Sequence, residues 1–355
     1  MSSRYTVPLR SGAEGPPADL VGGKCAGLLE LARAGQPVPR AFAVTVDAFR
    51  TLFADPALRA AVGAVLSELD PVDLAVAETV SSEIRRLVSG HPVPAELEED
   101  ISAGYRALCA ELGQPDVPVA VRSSATSEDL TQASFAGQYD TCLWIRGVEA
   151  VLDAVRHCWS SLWTARALVY RAAHGVPDEG LGMAVCVQEM VDARTAGVAM
   201  TLNPVNGDRS KVVVEAGWGL GEPVLSGEVT PDHYLVDKVL LVPVRTVVGS
   251  KFHELVPAPD GQGLLRRPVD DERRAAPCLT AAEVVEIARL AKQSERCGGA
   301  PQEIEWALAR DLPAPSGLRL LQSRAETVWS RRRGTAAEVT AESGAAGIAR
   351  ALTGL

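Results

Sequence analysis

The apolar positions along this chain switch repeatedly between a helical and a strand period. In KCAGLLELARAG, Leu28, Leu29, Leu31 and Ala32 fall on one side of a helix that Gly35 stops. The preceding GPPADLVGG, residues 15–23, reads as a loop. A short apolar strand is expected around Phe42–Val46, with Thr45 or Asp47 opening the next helix. From about residue 55 to 113 the pattern is helical and amphipathic, broken at GHPVP (Gly90–Pro94). DVPVAVRSS is a short β-rich run, and residues 148–174 return to helix, with Val151, Val155, Leu162 and Leu168 among arginines. From residue 183 the texture is that of strands. MAVCVQEMV, TAGVAMTLNP, KVVVEAGWG, HYLVDK and VRTVVG are β-branched runs separated by turns, which predicts a mainly antiparallel sheet. A helix is expected over 280–296, opening at Thr280 with Glu283 at the capping-box spacing, and QEIEWALA and GLRLLQSRAETV read as two last strands. The predicted class is α+β. A mixed helix-and-strand lobe spans 1–185, a strand-rich lobe 186–328, and a linker or tail 329–355. A ligand site between two such lobes is a common arrangement.

Composition narrows the function classes. The 355 residues suffice for two or three folded units, and 47% apolar with 23% charged residues is ordinary for a soluble globular protein. The seven cysteines are odd in number and contain no C-x-x-C, so the sequence favours buried reduced thiols in a cytoplasmic protein. The N-terminus lacks the apolar core of a secretory signal, and no window reaches the ~18 apolar residues of a membrane span. A net charge of −10 argues against general affinity for nucleic acid but leaves local anion sites possible. Only five lysines occur, so Lys24 in a glycine-rich stretch stands out.

Two familiar phosphate loops fail on inspection. VGGKC ends like a Walker A loop, but residue 18 is Ala and Cys25 sits where Ser or Thr is needed. GWGLGE, Gly217–Glu222, lacks the last glycine of G-x-G-x-x-G. A composite site remains. Lys24 opens a helix, where N–H groups and the dipole favour an anion. Arg122 ends a strand, and Gly137 with its small neighbours lets backbone N–H groups approach phosphate oxygens. Taken singly, Lys24 reads better as a solvated helix start and Arg122 as a surface ion pair, and only together with the acidic pair that follows do they favour an anion site. Further on, Glu303 and Glu305 share one face of a strand, and Gln322 and Arg324 repeat the spacing on its expected neighbour. Such oxygens suit Mg²⁺ and an adjacent arginine suits phosphate, although a Glu–Arg cross-strand ladder accounts for the same spacing. Neither G-x-S-x-G nor H-E-x-x-H occurs, and the five histidines read mostly as surface or packing residues.

Together these segments resemble the ATP-binding domain of the pyruvate phosphate dikinase, phosphoenolpyruvate synthase and rifampicin phosphotransferase family, an ATP-grasp-type two-lobed fold. The matching stretches run in order from VGGKCAGLLELARAGQPVPRAFAVT through VAVRSSATSEDLTQASFAGQYDT, VCVQEMVDARTAGVAMTLNP, AGWGLGEPVLSGEVTPDHYLV and PQEIEWA to LLQSRAETV. The resemblance implies Lys24 and Arg122 as phosphate-binding cations and Gly137 and Thr141 as loop contacts to the nucleotide phosphates. It implies Gln188 and the backbone of Glu189 to Val191 beside the adenine. Glu305 and Gln322 become Mg²⁺ ligands, together with Glu303, which stands where aspartate is common, and Arg324 a γ-phosphate contact. The implied chemistry is attack on the β-phosphoryl group of Mg-ATP. Cys25 and Ala325 depart from the family pattern without removing a charge. No histidine here has the TSH-like context of the family's phosphoryl carrier. The expected acceptor is therefore a histidine-bearing phosphocarrier domain or protein, or a small-molecule acceptor, with neither nucleic acid nor membrane as partner. A stand-alone kinase or ligase and a non-catalytic nucleotide-binding module are the alternatives.

Overall fold

The computed structural model describes residues 4–10, 16–125, 129–130, 133–134, 139–176 and 180–329. It divides into two compact units. One comprises Met1–Asp192 with Leu255–Arg267, and the other Ala193–Glu254 with Pro268–Leu355.

In the first unit the order is β1 (Thr6–Pro8), α1 (Ala18–Arg33), β2 (Ala41–Val44), α2 (Val46–Leu52), α3 (Pro56–Leu66), α4 (Leu74–Gly90), α5 (Ala95–Leu112) and β3 (Val119–Ala125). The two-residue strands β4 (Asp129–Leu130) and β5 (Ala133–Ser134) follow, then β6 (Thr141–Ile145), α6 (Val148–Ser160), α7 (Ala165–His174) and β7 (Met183–Glu189). Five of these strands form an antiparallel sheet in the order β1-β2-β7-β3-β6. Alternation along a strand sends successive side chains to opposite faces. Phe42 and Val44 join the core built with α2–α7, around Phe49, Trp159 and Trp163, whereas Ala41, Ala43 and Cys186 meet Leu28 and Leu29 of α1 on the other face. Both faces are covered, so β7 is buried along nearly its whole length.

The expected lobe boundary at residue 185 falls inside β7, which lies between β2 and β3 in the first sheet, and the first compact unit runs on to Asp192. A run buried on both faces carries no alternation to say which sheet it belongs to. The loop expected over 15–23 is also shorter than predicted. The helix already begins at Ala18, after Pro17, and only Gly22 departs from helical geometry.

The second unit holds β8 (Ala193–Met200), β9 (Lys211–Trp218), the short α8 (Glu222–Leu225), β10 (Asp232–Asp237) and β11 (Val242–Val247). After the ribbon of β12 (His253–Pro257) and β13 (Leu264–Pro268), most of which is counted with the first unit, come α9 (Asp271–Ala275), α10 (Ala281–Gly298), β14 (Gln302–Ala309) and β15 (Leu318–Ala325). Its sheet, β11-β10-β9-β8-β14-β15, is antiparallel throughout, as expected from the sequence. Against it lies α10, which buries Val284, Ile287 and Ala291 and opens with the predicted capping box between Thr280 and Glu283. A fully buried ion pair braces this unit. Lys251 holds Asp232, whose carboxylate also accepts the N–H groups of Gly249 (2.8 Å) and Cys278 (2.7 Å). Of the expected tail, Trp329 is described, its indole N–H donating to Pro204 O at 2.8 Å, and residues 330–355 lie outside the described residues.

Among the described residues, no helix is long and apolar enough to cross a membrane.

Candidate functional site

The first cluster is built on one glycine. At Gly22 the backbone turns to φ 73°, ψ 166°, and the helix resumes immediately after it, so Lys24 lies in the first turn of the resumed helix. Ser124, two residues beyond Arg122 on β3, clamps this kink. Its hydroxyl donates to Val21 O at 2.9 Å and accepts the Cys25 N–H at 3.2 Å. A Cβ on Gly22 would lie 1.9 Å from Ser124 O, so the close approach itself demands glycine.

The clamp fixes Lys24 with respect to the strand that carries Arg122. Cys186, on β7 directly opposite Arg122, registers both charges. A hydrogen bond from Cys25 holds this buried thiol below its ordinary value against the opposing effect of burial, and the positive charges of Arg122 and Lys24 lower it further. Arg122 Nη1 donates to the side-chain oxygen of the buried Gln188 at 3.4 Å. Thr141, exposed, pairs with Arg122 across β3 and β6.

The start of β6 is anchored in turn by Asp140. Its carboxylate meets His157 Nε2 at 3.0 Å and Arg85 at 2.5 Å. The hydrogen bond to His157, with the Arg85 charge, lowers Asp140, and the same bond raises His157. At the end of β7 the Glu189 N–H donates to Arg40 O (2.8 Å) and the Met190 N–H to Pro118 O (2.9 Å). Both donors are thus already used within the fold. Glu189 also accepts the Arg40 N–H at 3.1 Å, and Val191 follows in the segment leading to the second unit.

The second cluster lies on β14 and β15, whose register places Glu303 opposite Arg324 and Glu305 opposite Gln322. Arg324 donates to Glu303 at 2.5 Å, so the cross-strand pair weighed from the sequence is formed. The Glu305 and Gln322 side chains are half-buried neighbours bearing one carboxylate and one amide oxygen. This donor set fits Mg²⁺, which takes few protein oxygens and keeps its waters. Among the described residues, no group of three or more His, Cys, Asp or Glu side chains gathers to hold a metal.

A family model described as pyruvate phosphate dikinase, AMP/ATP-binding domain, matches residues 18–345. The chain belongs to this family. It is 42% identical over 335 residues to a probable phosphoenolpyruvate synthase of Staphylothermus marinus, covering 88% of the chain and 40% of that relative. Identity to the phosphoenolpyruvate synthase of Aeropyrum pernix is 41%, over 88% of the chain and 41% of the relative. A rifampicin phosphotransferase of a Streptomyces species is 38% identical over 91% of the chain and 36% of its own length. The chain therefore spans about two-fifths of the length of the relatives it matches.

Of the residues singled out in the sequence, Lys24, Arg122, Thr141 and Gln188 share one neighbourhood of the first unit. Glu303, Glu305, Gln322 and Arg324 share another in the second. Gly137 lies outside the described residues. Sequence reasoning overlooked Gly22, Ser124 and the Asp140–His157–Arg85 anchor. A glycine directly ahead of GK was the available sign for Gly22. Nothing local marked Ser124 or Asp140, whose partners lie on other elements.

Proposed function

We propose that this chain binds Mg-ATP and passes its β-phosphoryl group to a histidine on a separate domain or partner protein. The observation that carries the reading is the Gly22–Ser124 clamp, which holds Lys24 and Arg122 so that both charges act on one point of the first sheet. Two fixed cations over a sheet face suit a polyphosphate, because charge developing on phosphoryl oxygens is met by groups that need not reorganise. In this reading Thr141 and the Gly137 segment contact phosphate oxygens, Gln188 steadies Arg122, and Glu189 to Val191 flank the adenine. Since the Glu189 and Met190 N–H groups are engaged, the contacts from those two residues come from carbonyl oxygens. Glu305 and Gln322 hold the metal, which supplies charge neutralisation at the phosphates when bound. Glu303, engaged with Arg324, orients that guanidinium toward the γ-phosphate instead of ligating metal.

The family names support the same division of labour. Relatives named for phosphoenolpyruvate synthesis and for rifampicin phosphorylation share this segment while their acceptors differ, as expected if it handles ATP alone. Attack of an imidazole nitrogen at the β-phosphorus expels AMP, and water then releases the γ-phosphate, leaving the β-phosphoryl on the acceptor. The chain is incubated with a histidine-bearing acceptor domain and Mg-ATP labelled at the β-phosphorus. AMP, phosphate and label on an acid-labile phosphohistidine are expected. ADP as the sole nucleotide product would overturn the proposal in favour of a direct kinase.

A further inference from the structure

Behind Arg122 and Thr141 lies a set of reactive side chains that the phosphate chemistry does not use. Cys142 on β6 sits in register opposite Val121 on β3. Cys158, on α6 and fully buried, points its thiol at Val121 O (3.5 Å) and Asp140 O (3.7 Å). The two thiols share a hydrogen bond. Cys142 keeps partial exposure, so an outer sulfur stands in front of an inner one. Arg85 from α4 and His157 from α6 stand at the same place, both bonded to Asp140. We propose that Cys142 and Cys158 are a redox modification site, an attacking and a resolving cysteine that a peroxide converts to a disulfide beside the Arg122–Thr141 pair.

The two sulfurs are unequal in the way this chemistry requires. The hydrogen bond from Cys158, with the charges of His157 and Arg85, brings the Cys142 thiol down to about 7 against burial and the Asp140 carboxylate. About half of it is thiolate at neutral pH. Cys158 is raised by the same bond and by burial, and stays protonated. The Cys142 thiolate attacks one peroxide oxygen and breaks the O–O bond. Hydroxide leaves, takes a proton and becomes water, and Cys142 becomes a sulfenic acid. The Cys158 sulfur then attacks the Cys142 sulfur and breaks its S–O bond, and the Cys158 proton departs with that hydroxide as a second water. Two sulfurs have given up two electrons, and one peroxide has become two waters.

The disulfide removes the Cys158 donor from Val121 O and Asp140 O and ties β6 to α6. Val121 and Cys142 adjoin Arg122 and Thr141, so oxidation weakens nucleotide binding. That consequence rests on the phosphate reading above, whereas formation of the bond does not. Cys25 and Cys186 also share a hydrogen bond, but both are buried and closed to peroxide, which makes them an internal control.

The whole chain is treated with hydrogen peroxide at neutral pH, free thiols are blocked, and the protein is digested with trypsin without reduction. Cys142 falls in peptide 123–146 and Cys158 in peptide 157–166. The expected result is these two peptides joined and separable by dithiothreitol, with Cys25 and Cys186 still blocked as thiols. In Cys158→Ala, Cys142 should be trapped by dimedone as sulfenic acid, and in Cys142→Ser, Cys158 should remain reduced. A Cys142 that stays reduced at a dose oxidising the exposed Cys297, or that pairs with another cysteine, overturns the proposal. The oxidised protein should bind Mg-ATP at least about fivefold more weakly, reversibly. If the joined peptides form and affinity is unchanged, control of ATP binding is refuted while the thiol pair stands. Unchanged affinity in Arg122→Ala would instead place the failure in the phosphate reading.

Discussion

Replacing Gly22 by alanine tests the clamp directly. The new methyl group would face Ser124 O at 1.9 Å, about 1.5 Å short of ordinary contact, and the opposing atom is backbone that cannot swing aside. A φ of 73° adds about 1–2 kcal/mol of strain for any L side chain. Separating α1 from β3 also breaks the two Ser124 bonds, to Val21 O and from the Cys25 N–H, at about 0.5–1.5 kcal/mol each. With an overpacking cost of about 1–3 kcal/mol the loss comes to about 3–8 kcal/mol, or roughly 10–20 °C in melting temperature for a unit of this size. Gly35→Ala is the matched control. Its φ is 72°, but a Cβ there meets nothing within 4 Å, so it loses only about 1–2 kcal/mol. Thermal unfolding followed by circular dichroism and calorimetric titration with Mg-ATP read both variants. Gly22→Ala should melt well below Gly35→Ala and bind ATP at least about tenfold more weakly. Two variants that melt together and bind alike would refute the clamp.

Three further outcomes follow from named groups. Lys251→Met strands the buried Asp232 carboxylate and should cost about 3–5 kcal/mol in urea unfolding, and a loss below about 1 kcal/mol would contradict the pair's bracing role. His157 is raised from 6.5 by its bond to Asp140, so its contribution to stability is full below 6.5 and is lost as pH rises through the higher folded value. Asp140 is lowered from 3.8, so its share persists until pH falls through the lower folded value. His157→Gln should therefore depress the melting temperature more at about pH 5.5 than at about pH 8.5, and an equal loss at both would contradict the assignment. Glu305→Ala should raise the Mg²⁺ concentration needed for turnover at least about tenfold while leaving metal-free ATP binding intact. An unchanged Mg²⁺ requirement would remove Glu305 from the metal set.

How much of this was legible in the sequence depends on how local each signal is. Thr280 and Glu283 announce their helix within one turn, and Glu303, Glu305, Gln322 and Arg324 declare a shared face through period-two spacing. The strands that were missed, β1, β4, β5, β6, β12 and β13, are at most five residues long. β7 was recognised as a strand but given to the wrong sheet, because burial on both faces erases the pattern that would place it. In the site, Lys24 and Arg122 could be named from residue type and motif. Their fixing could not, since Ser124 reaches Val21 and Cys25 across a sequence separation of about a hundred residues. The Asp140 anchor depends likewise on Arg85 and His157, each on a different helix.

The central claim is that Lys24 and Arg122 hold the phosphates of ATP, and calorimetric titration of Mg-ATP into the wild-type chain and into Arg122→Ala tests it most directly. The account predicts saturable one-to-one binding to the wild type and at least about thirtyfold weaker binding to the variant, roughly 2 kcal/mol for a lost charge-assisted phosphate contact, with the fold intact by circular dichroism. Equal affinity in the two proteins would contradict it.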